Sequence, residues 1–300
     1  MRILIAVDGS PKSLDAVRLA GRLADPSRDE LAIYFSPLEL ERQLPGRSRA
    51  LIDGAVAAVR EEAWKLLPGG FAREPELVTS PQPAAIGILD QAAAWKADLL
   101  VVGARGHGAI EGFLLGSVSR AVVHGAHLPV LVARTGPPAD RGLRVLVGHH
   151  PASASAVAAL LGRIQWPADT AGGVIGVAES LLAGPVPGWV AQRVRDPDAA
   201  AIAQAWQAEH DAEVSALGGR LAAYQAELPP AFRGRSPVVA QGNPGERILA
   251  QAKADAADLI VVGRAPNDAL SRWLLGSTSE AVLTHATASV LIVPVEQRQP

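Results

Sequence analysis

The chain has 300 residues, 49% hydrophobic and 19% charged, a balance that can supply more than one buried core and points to two domains rather than one. Its formal net charge of −2 gives no general attraction to nucleic acid or to an anionic membrane surface, so neither is expected as a partner. The absence of cysteine removes disulfides, thiolate metal sites and thiol nucleophiles together, and it suits a reducing compartment.

Met1-Arg-Ile-Leu-Ile-Ala-Val-Asp8 opens the chain as a short apolar run ending at an acid. It has neither the length nor the cleavage site of a secretory leader, no later run reaches the length of a membrane span, and the expected setting is the cytoplasm. Strand-length apolar runs lie at 3–7, 31–35, 76–79, 99–102 and 129–133. Helical patterns, with apolar residues three and four apart, fill the gaps at 13–24, 50–67, 84–96 and 117–126. Strands alternate with helices, so the fold class is α/β and the sheet is expected to be parallel. The strands are apolar throughout rather than alternating, as expected when helices cover both faces. Thr135-Gly-Pro-Pro-Ala-Asp-Arg-Gly142 then has linker chemistry and divides the chain into domains 1–138 and 139–300.

The second half repeats the pattern, with strands at 144–147, 173–177, 237–240, 259–262 and 290–293. It differs at 179–198, where Pro185, Pro187 and Pro197 forbid one continuous helix and a surface excursion is expected. An alanine-rich helical pattern follows over 198–227, with Trp206 and Tyr224 as packing anchors and Gly218-Gly219 as its weak point. The last strand of each half would leave an apolar sheet edge, which tends to pair.

Two local sequences return at one offset. Asp98-Leu-Leu-Val-Val-Gly103 recurs as Asp258-Leu-Ile-Val-Val-Gly263, and Leu114-Leu-Gly-Ser117 as Leu274-Leu-Gly-Ser277. In the first copy Gly103-Ala-Arg-Gly106 follows a strand, and after nine more residues Gly116-Ser117-Val118-Ser119 opens a helix. Ligands of open α/β sheets sit beyond the carboxyl ends of strands where the chain order reverses, and both Asp8 and Gly103 fall at such ends. Glycine lets backbone approach a phosphate, while the first helical amides and the two serine hydroxyls offer an anion site without a lysine. Arg105 and Arg120 would add charge, and Asp8 would accept from an adenine amino group or a ribose hydroxyl. The plainer alternatives are that the glycines only turn the chain and that Asp8 only orders Asp8-Gly9-Ser10-Pro11, where Ser10 caps the next helix.

Ala6-Val7-Asp8-Gly9-Ser10, together with the spaced glycines and Gly116-Ser117, resembles the universal stress protein family, and the duplication is similar to its tandem members. The resemblance covers both halves. It implies two tandem Rossmann-like (adenine nucleotide alpha hydrolase-like) domains, each a five-stranded parallel sheet of order 3-2-1-4-5 flanked by helices. It also implies an ATP-binding regulatory protein of the stress response, with ATP carried as its Mg complex. Adenine would lie beside Asp8, lined by the backbone around Val7 and by Phe35, which stands where the family has a smaller residue. Ribose and phosphates would lie over Gly103, Arg105, Gly106, Gly116, Ser117, Val118 and Ser119. Family members dimerise through the last strand, which in a tandem chain implies a pseudo-dimer of the two halves, with further self-association between chains left open.

The second half departs from this pattern. Val147-Gly148-His149-His150-Pro151 aligns with Val7-Asp8-Gly9-Ser10-Pro11 and puts glycine where the acid stands, and Gly263-Arg-Ala-Pro266 puts proline where the second glycine stands. One competent nucleotide site is therefore expected, in the first half, with the second half structural. Gly276-Ser277-Thr278-Ser279 persists, as an anion site or as a helix cap. His149 and His150 are neighbours whose side chains diverge and which lack an evident third ligand, so a loop role is favoured over a metal site. No nucleophile motif surrounds His107, His124 or His127, and neither the P-loop lysine nor the kinase set is present. A slow Mg-dependent ATPase or adenylyl-transferring enzyme, and a scaffold that binds no nucleotide, are the alternatives to a regulator.

Overall fold

The first half forms β1 (Arg2–Val7), α1 (Pro11–Leu23), β2 (Glu30–Phe35), α2 (Arg49–Lys65), β3 (Glu76–Thr79), α3 (Ala84–Ala94), β4 (Leu99–Gly103), α4 (Ser117–Gly125) and β5 (Val130–Ala133). The second forms β6 (Arg144–Gly148), α5 (Ala154–Arg163), β7 (Ala171–Ala178), α6 (Pro197–Glu227), β8 (Val238–Gln241), α7 (Pro244–Ala254), β9 (Leu259–Arg264), α8 (Ser277–His285) and β10 (Ser289–Pro294). This computed structural model describes residues 1–38, 49–71, 73–106, 115–178, 197–264 and 275–295. Every strand, and every helix with a range expected from the sequence, lies within two residues of where periodicity puts it. The expected Pro-rich excursion lies outside the described residues except for its last two, where Pro197 takes the first position of α6.

All ten strands share one sheet, in the order β3-β2-β1-β4-β5-β10-β9-β6-β7-β8. Taken from either outer edge inward, each half has the order 3-2-1-4-5 and pairs in parallel. The halves meet where β5 and β10 run antiparallel, with Leu131 opposite Leu291. The two repeated aspartates have a structural reason. Asp98 Oδ2 accepts the Arg2 backbone N–H at 2.7 Å, and Asp258 Oδ2 accepts that of Arg144 at 2.7 Å. The acid before β4 or β9 thus fixes the start of the strand beside it.

Side chains alternate across a strand, and here both faces are buried. Ile3, Ile5 and Val7 pack with Val17 of α1 and Ala63 of α2, while Leu4 and Ala6 pack with Ile88 of α3 and Val122 of α4. In the second half α5 and α6 continue the first layer, and α7 and α8 continue the second. Each of the two cores contains residues from both halves.

The linker is tied at its end: Arg141 Nη1 and Nη2 donate to the Asp258 carboxylate at 2.7 and 2.8 Å, and Arg22 Nη2 donates to the Arg141 carbonyl at 2.9 Å. One sequence expectation needs correction: helix α6 runs unbroken for 31 residues through Gly218-Gly219, its expected weak point. Tertiary packing overrides the helix penalty of glycine there, because Leu217 and Leu221 are buried and the Leu221 methyls fill the space above Gly176 of β7. Tyr224 is the packing anchor expected of it, whereas Trp206 is only half-buried.

Candidate functional site: two strand-end crevices

The strand order reverses between β1 and β4, and the loops after both strands meet at their carboxyl ends. In the first loop Gly9 has φ +81°, a conformation that favours glycine. Asp8 Oδ1 accepts the Ser10 N–H at 3.0 Å, the Asp8 N–H donates to Ser13 Oγ at 3.3 Å, and Ser10 Oγ caps α1 by accepting the Ser13 N–H at 3.2 Å. One carboxylate oxygen of Asp8 therefore does order its turn. The other lies against the second loop, since a Cβ added at Gly106 would run into Asp8 Oδ2. Asp8 and Gly106, separated by 98 positions in sequence, are in direct juxtaposition.

The remaining predicted residues divide. Gly116 donates its N–H to the Ala104 carbonyl at 2.7 Å, which brings the start of α4 back to the end of β4. Gly116 caps α4 with no side-chain bond, Ser117 is exposed and Val118 is 40% exposed, so the first turn of this helix stands open. Arg105 is half-buried near Arg134, whose guanidinium is held down to about 10 by burial and, secondarily, by the charge of Arg105. Gly103, however, is buried, and a Cβ there would lie 3.1 Å from the Lys12 carbonyl and from Ser13 Cα. Its lack of a side chain admits the first turn of α1. Ser119 is 5% exposed and donates its hydroxyl to the Gly103 carbonyl at 2.6 Å. The Phe35 side chain is buried in the core beside Val7, leaving only backbone at that strand end. Arg120 turns to Glu280 of the other half at 3.4 Å, and His124 meets the same carboxylate at 3.2 Å. His107 and Pro266 lie outside the described residues.

The second half repeats the scaffold. Ser279 donates to the Gly263 carbonyl at 2.7 Å, as Ser119 does to Gly103, and Gly276 opens α8 with no side-chain cap. A cavity of about 370 Å³ lies beyond its strand ends, lined in part by Gly148, His149, Arg220, Gly263, Ser277 and Thr278. Sequence reasoning missed Arg220, since nothing local indicates that α6 reaches this crevice. His150 behaves as a loop residue, its Nδ1 accepting the Ala152 N–H at 3.2 Å. His149 packs edge-on to Tyr224, with ring centroids 4.8 Å apart. Among the described residues no group of three or more His, Cys, Asp or Glu is placed to hold a metal, and no helix is long and apolar enough to cross a membrane.

Burial first, then the charges of His150 and Arg220, hold the His149 imidazole below its ordinary 6.5. Between 6.5 and the lower folded value the unfolded chain binds this proton and the folded chain does not, so His149 contributes stability above 6.5 that is lost as pH falls. His149→Gln should therefore flatten the decline in urea unfolding midpoint between about pH 7 and about pH 5. An unchanged slope would remove His149 from the acid sensitivity.

The model of the universal stress protein family matches residues 1–134 and 144–294. A universal stress protein of Mycolicibacterium smegmatis is 32% identical over 97% of this chain and 96% of its own length. Universal stress proteins of Mycobacterium tuberculosis and Mycobacterium bovis are 35% identical over 44% of this chain, a match spanning 45% of their own length. Among solved structures, a putative universal stress protein from Pseudomonas aeruginosa covers 98% of the chain and is itself covered over 92%, at a TM-score of 0.58 and 18% identity, a likeness of fold. A universal stress protein solved in complex with cAMP is 29% identical over 44% of this chain and 95% of its own, at a TM-score of 0.34. The chain belongs to the universal stress protein family. It carries two tandem copies of that family's unit.

Proposed function

We propose that the chain is a nucleotide-gated regulatory protein of the stress response, acting in the cytoplasm. In this reading residues 1–138 bind ATP with its Mg, and residues 139–300 are a structural partner in an intramolecular pseudo-dimer. The observation that carries it is the contact between the Asp8 carboxylate and Gly106 at the strand-order reversal, beside the open first turn of α4. Asp8 would accept from the base or ribose, and the amides of Ser117 and Val118 would face the phosphates, with Arg105 as the nearby cation. Gly103 and Ser119 would act one step back, holding β4 against α1 and α4.

ATP can shift this protein between conformations only as far as it binds one of them better. A short route to the other half exists. Lys12 Nζ, in the first turn of α1, donates to the Arg134 carbonyl at 3.3 Å, and the Arg134 guanidinium donates to the Leu283 carbonyl of α8. Because β5 and β10 pair with one another, any association between chains would need a different surface.

The test is calorimetric titration of the nucleotide-stripped intact chain with Mg-ATP, followed by assay of the sample for ADP. One high-affinity ATP site per chain and no ADP are expected. No heat at millimolar ATP, meaning binding weaker than about −4 kcal/mol, would overturn the proposal, and steady ADP release would make the protein an ATPase instead.

A further inference from the structure

The seam between the halves is close to symmetric. Leu131 of β5 stands opposite Leu291 of β10, and 160 positions separate them in sequence. The same offset relates Gly103 to Gly263, Gly116 to Gly276 and Ser119 to Ser279, whose contacts repeat. A pseudo-twofold axis therefore passes between Leu131 and Leu291 and exchanges each residue with its counterpart at that offset. A residue close to the axis meets its own counterpart.

Arg120 and Glu280 are such a pair. They are counterparts by the same offset, and Arg120 Nη1 lies 3.4 Å from Glu280 Oε1. One position at the axis thus carries a cation in the first half and an acid in the second. His124, the counterpart of Thr284, places its Nε2 3.2 Å from Glu280 Oε2, an oxygen shielded from water. The buried arginines break the symmetry as well. Arg264 reaches the His124 and Ala126 carbonyls, but its counterpart is Ala104, and Arg134 reaches the Leu283 carbonyl, but its counterpart is Pro294.

The paired strands alone do not tell the halves apart, since Val-Leu-Val at 130–132 and Val-Leu-Ile at 290–292 are nearly the same surface. The polar residues do. Two first halves joined in this way would bring Arg120 against Arg120 and His124 against Arg120. Two second halves would set Glu280 against Glu280. Neither like pair could make both arginine ties. Like charges opposed at an interface suppress the wrong partner.

We propose that Arg120 and Glu280 are the selectivity pair of this interface: they admit the unlike half and reject the like half, so that each chain closes on itself instead of linking to its copies. The selection comes mostly from repulsion in the wrong pairs, because a partly exposed ion pair adds little to the right one. It is independent of nucleotide binding in the first half.

The chain has no cysteine, so one introduced at the axis reports what faces it. The thiol of Leu131→Cys would face Leu291 in the unlike pair and its own copy in a pair of first halves. Three full-length chains carry this change: one otherwise original, one with Arg120→Gln and Glu280→Gln, and one with the charges exchanged by Arg120→Glu and Glu280→Arg. Each is refolded from urea at about 0.1 mM, where pairing between chains competes with pairing through the linker, and is then oxidised. The neutral chain is expected to give about five-fold or more interchain disulfide than the original. The exchanged chain keeps opposite charges in the unlike pair and like charges in the others, so it should return to the original level. An ion pair that only stabilised the fold would move the unfolding midpoint and leave the disulfide yield unchanged. Light scattering of the same three chains without Leu131→Cys, refolded in the same way, should rank their oligomer content in the same order, and it decides the matter if the cysteine impairs folding. Equal yields in all three chains, or an exchanged chain as cross-linked as the neutral one, would overturn the proposal.

Discussion

Gly106→Ala is expected to weaken Mg-ATP binding by about ten-fold or more while moving the thermal midpoint by less than about 2 °C. The added methyl would occupy the space of Asp8 Oδ2 and, on the proposed reading, displace the carboxylate from where it would face the nucleotide. Gly106 is exposed and its substitution opens no cavity, so stability should be nearly unchanged. Asp8→Asn separates the two roles of the acid. The Asn side-chain carbonyl can still accept the Ser10 N–H and keep the turn, but its amide would then face the ligand and oppose an adenine amino group. Loss of ATP affinity in both variants is the expected result. If Asp8→Asn bound ATP as tightly as the original chain, the carboxylate would be a turn element only, and the phosphate end would have to carry the affinity.

The sequence made the sheet legible because its signals are local. Continuous apolar runs, three-and-four spacing and the repeated Asp-Leu-x-Val-Val-Gly are all contained within short windows, and the order 3-2-1-4-5 followed from the resemblance they support. The juxtaposition of Asp8 with Gly106 was also within reach, since both stand at strand ends on the same side of one sheet. The roles of individual polar side chains were not. Ser119 reads as a phosphate ligand at a helix start, but its hydroxyl is held by the Gly103 carbonyl, and the choice is made by how close β4 lies to α4. Arg120 reads as a cation for the same phosphate, yet Glu280 of the other half is its partner. Arg220 gives no local sign at all, because its arrival at the second crevice depends on the length and phase of α6. The fold is specified by periodicities, whereas the site depends on long-range placement that a single sequence does not encode locally.

The seam between the halves gives the largest stability effect. Leu131 and Leu291 stand directly opposite across the antiparallel joint, both fully buried on the same face, in a core that contains residues of both halves. Leu131→Ala should cost about 2–5 kcal/mol through lost burial and the cavity left behind. At roughly 2–4 °C per kcal/mol for a chain of this size, that is a large drop in midpoint. Because the partner leucine borders the same cavity, the pair Leu131→Ala and Leu291→Ala should be non-additive by about 0.5–3 kcal/mol in a double-mutant cycle. Polar ties cross the same seam on both sides. Arg264 of β9 donates to the Ala126 and His124 carbonyls at 3.0 and 3.2 Å, closing the end of α4, and Arg134 donates to the Leu283 carbonyl in α8. Each half thus supplies an arginine to a helix end of the other, and neither can lose its packing without exposing carbonyls in its neighbour. A single unfolding transition, shifted as a whole by either substitution, is the expected calorimetric result. Two resolved transitions, only one of them shifted and with additive energies, would mean that the halves fold as separate units that merely share an edge. In that case a conformational signal from the Asp8 loop would have no cooperative core through which to reach the second half.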